Sequence, residues 1–211
     1  MKFSYSEIMA WEEFQKGGTG SGNFGHEGRP GEVGGSGEGG GEGSPDWSTL
    51  MNTSAPILDK TLKKYKMDSS EAFETANYSL YRADGKLGYI TDKNTRGMVR
   101  DLDTAFSSAP TIGQDVVLYR GITEKISVKE TYVDRGFAMT TVDPKEAMDY
   151  ALLGDKEHTV FEISVPKNAK VIVNSKNEVV LPRDSKYTIT GSETKDGVNF
   201  VKLTWKSISY D

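Results

Sequence analysis

"DLDTAFSSAPTIGQDVVLYRG", residues 101–121, is the point at which the texture of the chain changes. Just before and within its first half, Met98, Leu102, Ala105 and Phe106 recur at helical spacing and form one apolar stripe, and Pro110 ends it because its ring cannot continue a helix. In its second half, "DVVLYRG" (115–121) carries the continuous β-branched and aromatic run of a strand. Upstream, "DWSTLMNTSAPILDKTLKKYK" reads as a helix capped by Asp46. "DSSEAFETANYSLYR" reads as another, with Asp68 or Ser69 as cap, Glu71 in the first turn and Phe73, Ala76, Asn77 and Leu80 at helical spacing. A turn is expected at Asp84-Gly85.

Downstream the segments are strand-like: residues 125–134, 136–142, 159–166, 169–174, 178–184, 186–193 and 199–210, with one helical interruption, "DPKEAMDYAL", whose Pro144 suits a first turn. Helices first and strands after predict an α+β fold, an N-terminal helical lobe followed by mainly antiparallel sheet.

The 211 residues allow one ordinary domain and a tail. Residues 17–43 hold 14 of the 23 glycines, a composition that cannot bury enough apolar surface to offset its backbone entropy. The expected organisation is therefore a short amphipathic segment (1–16, with Phe3, Ile8, Trp11 and Phe14 roughly on one side), a flexible linker (17–44) and a folded domain (45–211). Of the net charge of −5, residues 1–43 carry −4, so the body is close to neutral. That argues against a nucleic-acid binder held by phosphate contacts, without excluding a local basic patch. The absence of cysteine removes disulfides, thiolate nucleophiles and Cys-ligated zinc, and two histidines, His26 and His158, make no His-rich metal site. The first residues lack the apolar run of a signal peptide, and no stretch is long and apolar enough to span a membrane, so a soluble protein without metal is expected.

Three segments stand out for chemistry. In "VVLYRG", Arg120 leaves a strand end with a fork suited to phosphate, and Gly121 would let a ligand approach the backbone; a surface ion pair is the plainer reading. In "GFAMTTVDPKEA", Thr140 and Thr141 offer hydroxyls to a carboxylate or a ligand, and Phe137 offers a ring for stacking, although both residue types are ordinary in strands. In "NSKNEVVLPRD" (174–184), Glu178 opens an apolar strand. A carboxylate there can hydrogen-bond a sugar hydroxyl and steady positive charge on an anomeric carbon; alternatively it is solvated and paired with Lys176 or Arg183.

In that order, Arg120, the hydroxyl pair after Gly-Phe, and Glu178 before Val-Val-Leu-Pro-Arg resemble the arginine–serine–glutamate class of mono-ADP-ribosyltransferases, the bacterial and bacteriophage exoenzyme branch in particular. The resemblance runs from about Pro45 to Tyr210. It implies two packed, twisted sheets clasping NAD, the substrate, with Arg120 on its phosphate or ribose, Gly121 and Phe137 beside the ligand, and Phe137 near the nicotinamide. Thr140 and Thr141 would match the last two residues of a Ser-Thr-Ser triplet, and Glu178 would be the catalytic glutamate. The resemblance further implies that NAD would be cleaved with loss of nicotinamide and that ADP-ribose would pass to a macromolecular acceptor, a host protein in the first instance. The glycine tract is similar to segments of phage head-associated proteins, which implies a bacterial host cytoplasm or a virion, with phage particle components as partners.

Two positions depart from the pattern. Met139 stands where the triplet has its first serine, and Lys176 stands where the acceptor site has Glu or Gln. A lysine repels an incoming guanidinium, which leaves two alternatives open: an NAD glycohydrolase using water, and a degenerate domain kept as a structural or binding module.

Overall fold

The computed structural model describes residues 44–122, 130–153 and 158–206. The chain divides into two compact units, Met1–Ser44 and Pro45–Asp211. The amphipathic segment 1–16 and the linker, Ser44 apart, lie outside the described residues.

In the second unit, three helices come first: α1 (Trp47–Leu62), α2 (Ser69–Arg82) and α3 (Lys93–Ser108). Each begins with an aspartate side chain accepting from a first-turn backbone N–H, as expected for the first two. Asp46 accepts from Thr49 at 3.1 Å, Asp68 from Glu71 at 2.9 Å and Asp92 from Thr95 at 2.6 Å. The expected stripes are the buried ones. Phe73, Ala76 and Leu80 of α2 meet Met98, Leu102, Ala105 and Phe106 of α3 in one apolar core. Asn77, on the same stripe, does other work: its side-chain amide donates to Phe137 O at 2.9 Å and accepts from Phe137 N at 2.7 Å, tying α2 to the sheet. Asp84 and Gly85 both have positive φ, 49° and 73°, the backbone of the anticipated turn.

The strands are β1 (Val116–Ile122), β2 (Thr131–Asp134), β3 (Ala138–Thr141), β4 (His158–Val165), β5 (Ile172–Val173), β6 (Glu178–Leu181), β7 (Ser185–Lys195) and β8 (Val198–Lys206), with α4 (Pro144–Ala151) between β3 and β4. They follow the order β2-β7-β8-β4-β1-β3-β6-β5. All neighbours are antiparallel except β4 and β8. The two expected sheets are therefore hydrogen-bonded into one, but the join is narrow: β1 and β3 share the single register pair Tyr119↔Thr141. On either side of it the halves fold onto a common core, in which Ala138, Val173, Val179 and Leu181 of one half meet Leu118, Phe161, Ile163, Leu203 and Trp205 of the other. One apolar cluster thus gathers residues from both sides of the narrow join.

α4 packs on the outer side of the β1–β4 pair through Ala147 and Ala151, both small enough to bring the helix down onto the strands. A Cβ built on Gly121 of β1 would stand 2.1 Å from Ala147 O and 2.8 Å from Ala151 N. The room that this glycine makes is thus used by a helix. Gly121→Ala must push the helix backbone away, with an expected cost of about 1–3 kcal/mol; a urea midpoint equal to wild type would show that α4 yields freely.

Candidate functional site

Glu178 begins β6 opposite Thr141 of β3, which in turn lies opposite Tyr119 of β1. Cross-strand partners share a face, so Tyr119, Thr141 and Glu178 form one row across the narrow join. Tyr119 is covered by α4, whose apolar residues it packs against.

The Glu178 carboxylate is half-buried and accepts a 2.6 Å hydrogen bond from Asn174 Nδ2. Its backbone is held as well: Glu178 N donates to Ser175 Oγ at 3.2 Å, and Glu178 O accepts from Asn174 N at 3.0 Å. Burial raises the carboxyl's pKa, the Asn174 bond lowers it and the Glu146 charge raises it, leaving it above its ordinary value. Glu146 itself is exposed on the first turn of α4. It accepts from Thr141 Oγ1 at 2.7 Å through one oxygen and from Asn177 Nδ2 at 2.6 Å through the other. One carboxylate is therefore braced between β3 and the turn that leads into Glu178.

Adjacent residues on a strand face opposite ways, which turns Arg120 away from the row of Tyr119. Its guanidinium forms an ion pair with Asp134 and donates to Tyr81 Oη at 3.3 Å. Asp134 is 1% exposed and also accepts from Tyr81 Oη at 2.8 Å and from Gly136 N at 3.1 Å. The arginine read as a phosphate fork is, in this structure, the counter-ion of a buried aspartate.

The remaining expectations divide in the same way. Thr140 is 4% exposed and gives its hydroxyl to Val179 O at 2.5 Å, fastening two strands together. Thr141 does bond a carboxylate, but that of Glu146. Phe137 is fully buried, stacked on Phe106 at 5.4 Å and edge-on to Phe73 at 5.6 Å. A ring so enclosed is part of the helical lobe's core. Met139 faces Val180 and packs toward the same lobe, while Lys176 is exposed on the β5–β6 turn. Arg183 is not the partner of Glu178; it is engaged with Asp103 of α3, with Nε 2.9 Å from Oδ1. Among the described residues, no group of three or more His, Asp or Glu side chains is placed to hold a metal ion, and no helix is long and apolar enough to cross a membrane.

Solved structures resemble this arrangement. Vis, an ADP-ribosyltransferase toxin from Vibrio splendidus, matches with a TM-score of 0.54 at 16% identity over 100% of this chain and 89% of its own. An ADP-ribosyltransferase from Clostridium botulinum matches with a TM-score of 0.55 at 15% identity, covering 76% of this chain and 94% of its own. The fold is that of the ADP-ribosyltransferases. A toxin of Paenibacillus larvae, also an ADP-ribosyltransferase, agrees at 0.53 and 17% over 76% and 99%. No family model and no curated protein sequence matches the chain, so the likeness is one of fold.

Within this ADP-ribosyltransferase fold, sequence reasoning missed Asn174, Glu146, Asp134 and Tyr81. The first was within reach: turn residues Ser175–Asn177 between two β-branched runs mark a hairpin, and the register Val173↔Val179 brings Asn174 beside Glu178. The others left no local signal, since Glu146 and Glu178 come together only through the packing of α4 against β3.

Proposed function

We propose that this protein is a mono-ADP-ribosyltransferase that takes NAD as substrate and transfers ADP-ribose to a macromolecule, a protein in the first instance. One observation carries the reading: Arg120, the Thr140–Thr141 pair and Glu178, far apart in sequence, sit on three consecutive strands, β1, β3 and β6, of an ADP-ribosyltransferase fold. The half-buried Glu178 carboxylate suits a ribose hydroxyl, while Arg120 lies on the opposite strand face, already paired with Asp134.

In the step assigned to Glu178, the C1′–N bond to nicotinamide breaks and the electron pair leaves with nicotinamide, neutralising its pyridinium. Positive charge grows on the ribose, and the Glu178 carboxylate hydrogen-bonds a ribose hydroxyl and stabilises it. The acceptor's nucleophile then bonds C1′ and releases its proton to solvent. Arg120 would share its guanidinium between Asp134 and a phosphate.

The test is incubation of the full chain with labelled NAD and a bacterial lysate, scoring nicotinamide release and protein labelling for wild type and Glu178→Gln. Loss of both in the variant is expected, and equal rates would remove Glu178 from the chemistry. The exposed Lys176 near the acceptor side favours one second reading, transfer to water: nicotinamide release without labelled protein would establish it. A wild type with no turnover and no thermal shift with NAD would point to a binding module instead.

A further inference from the structure

Met139, standing where the resemblance has a serine, offers no hydroxyl to the Glu178 carboxylate of the proposed transferase, yet Glu178 is not loose. Met139 and Thr141 lie on one face of β3, across from Val180 and Glu178, and the methionine is drawn into the helical lobe's core. On the other flank, the β5–β6 hairpin folds Asn174 back beside Glu178, where its amide reaches one carboxylate oxygen and its backbone N–H reaches the Glu178 carbonyl. From α4, Glu146 closes the site by binding both Thr141, the cross-strand partner of Glu178, and Asn177, the residue before it.

We infer that Asn174 is the positioning residue for Glu178, taking over from the hydroxyl absent at 139, and that Glu146 is a second carboxylate that acts on Glu178 through space while bracing its turn. The inference rests on the transferase reading for its catalytic meaning.

The two residues act with opposite signs. Asn174 donates a hydrogen bond to the ionised carboxylate and favours it; Glu146 brings a like charge and disfavours it. Lys176 is exposed on the same turn, and Tyr119 stands at the far end of the cross-strand row. Thr141, directly opposite, carries no charge. Removing Asn174 should therefore make Glu178 harder to ionise, and removing the Glu146 charge should make it easier. A residue that only held the turn together would not move the titration in this two-signed way.

The experiment compares wild type, Asn174→Ala and Glu146→Gln in two readouts. One is the carboxyl titration of Glu178 by carbon NMR in glutamate-labelled protein; the other is the pH profile of nicotinamide release. The titration and the acid limb of the profile are expected to move to higher pH in Asn174→Ala and to lower pH in Glu146→Gln. In Asn174→Ala, kcat is expected to fall about tenfold with KM for NAD little changed, since orientation and not binding is lost. An unmoved titration in Asn174→Ala, or displacement in the same direction by both variants, overturns the inference. A wild type that releases no nicotinamide would fail the transferase reading instead, and the titration, which needs no turnover, would still decide how the carboxylate is held.

Discussion

Asp134→Ala is expected to destabilise the protein by about 3–5 kcal/mol, the usual consequence of leaving a buried charge without its partner. Asp134 is almost fully buried and accepts from Arg120, from Tyr81 Oη and from Gly136 N. Alanine would strand a guanidinium and take away the carboxylate that a hydroxyl and a backbone N–H both donate to. The measurement is a urea midpoint with the slope checked for two-state behaviour. The paired replacement Arg120→Met with Asp134→Leu should cost much less than Asp134→Ala alone, because it removes both charges together. That double variant also separates two roles of one arginine. If Arg120 anchors a phosphate of NAD as well as countering Asp134, the double variant folds but shows a raised KM for NAD. A loss of under about 1 kcal/mol in Asp134→Ala would mean that the pair behaves as a solvated surface bridge.

Glu178→Gln is expected to lower kcat for nicotinamide release by about 10²–10³-fold, the range found when one electrostatic stabiliser of a developing charge is removed. The change is nearly isosteric, and the amide oxygen can still accept from Asn174, so NAD affinity should change far less than turnover. Stability runs the other way. Burial and the Glu146 charge hold the folded-state pKa of Glu178 above its unfolded value, so its ionisation costs folding free energy as pH rises past the ordinary carboxylate range. Glutamine removes that cost, and at neutral pH the variant should be at least as stable as wild type, while in acid, where Glu178 is protonated in both states, the two should converge. A stable protein with lost turnover is the pattern of a functional carboxylate. A variant that loses stability at neutral pH would make Glu178 a structural residue.

Much of the fold is legible in the residue pattern. The capping aspartates 46, 68 and 92, the stripe ending at Phe106 and Pro144 at the start of α4 are local signals, because a helix start and an apolar period are decided within a few neighbours. The strand runs are equally local, and they sufficed for the α+β class. Less of the site could be read. Arg120, Thr141 and Glu178 are visible as residue types at strand ends, but their partners are not. A strand residue's facing depends on its register, and register is a property of two segments together.

By itself, the sequence determined which segments are helix-like and which are strand-like, and the order of Arg120, the threonine pair and Glu178 along the chain. Only the tertiary structure decided what each of them touches. Alternation turned Arg120 toward a buried aspartate, close packing gave Gly121 to a helix and Phe137 to a core, and a hairpin brought Asn174 to Glu178. The physical reason is range: backbone preference and apolar period act over a few residues, whereas burial, ion pairing and the reach of a 2.6 Å hydrogen bond are settled only when distant segments share a surface.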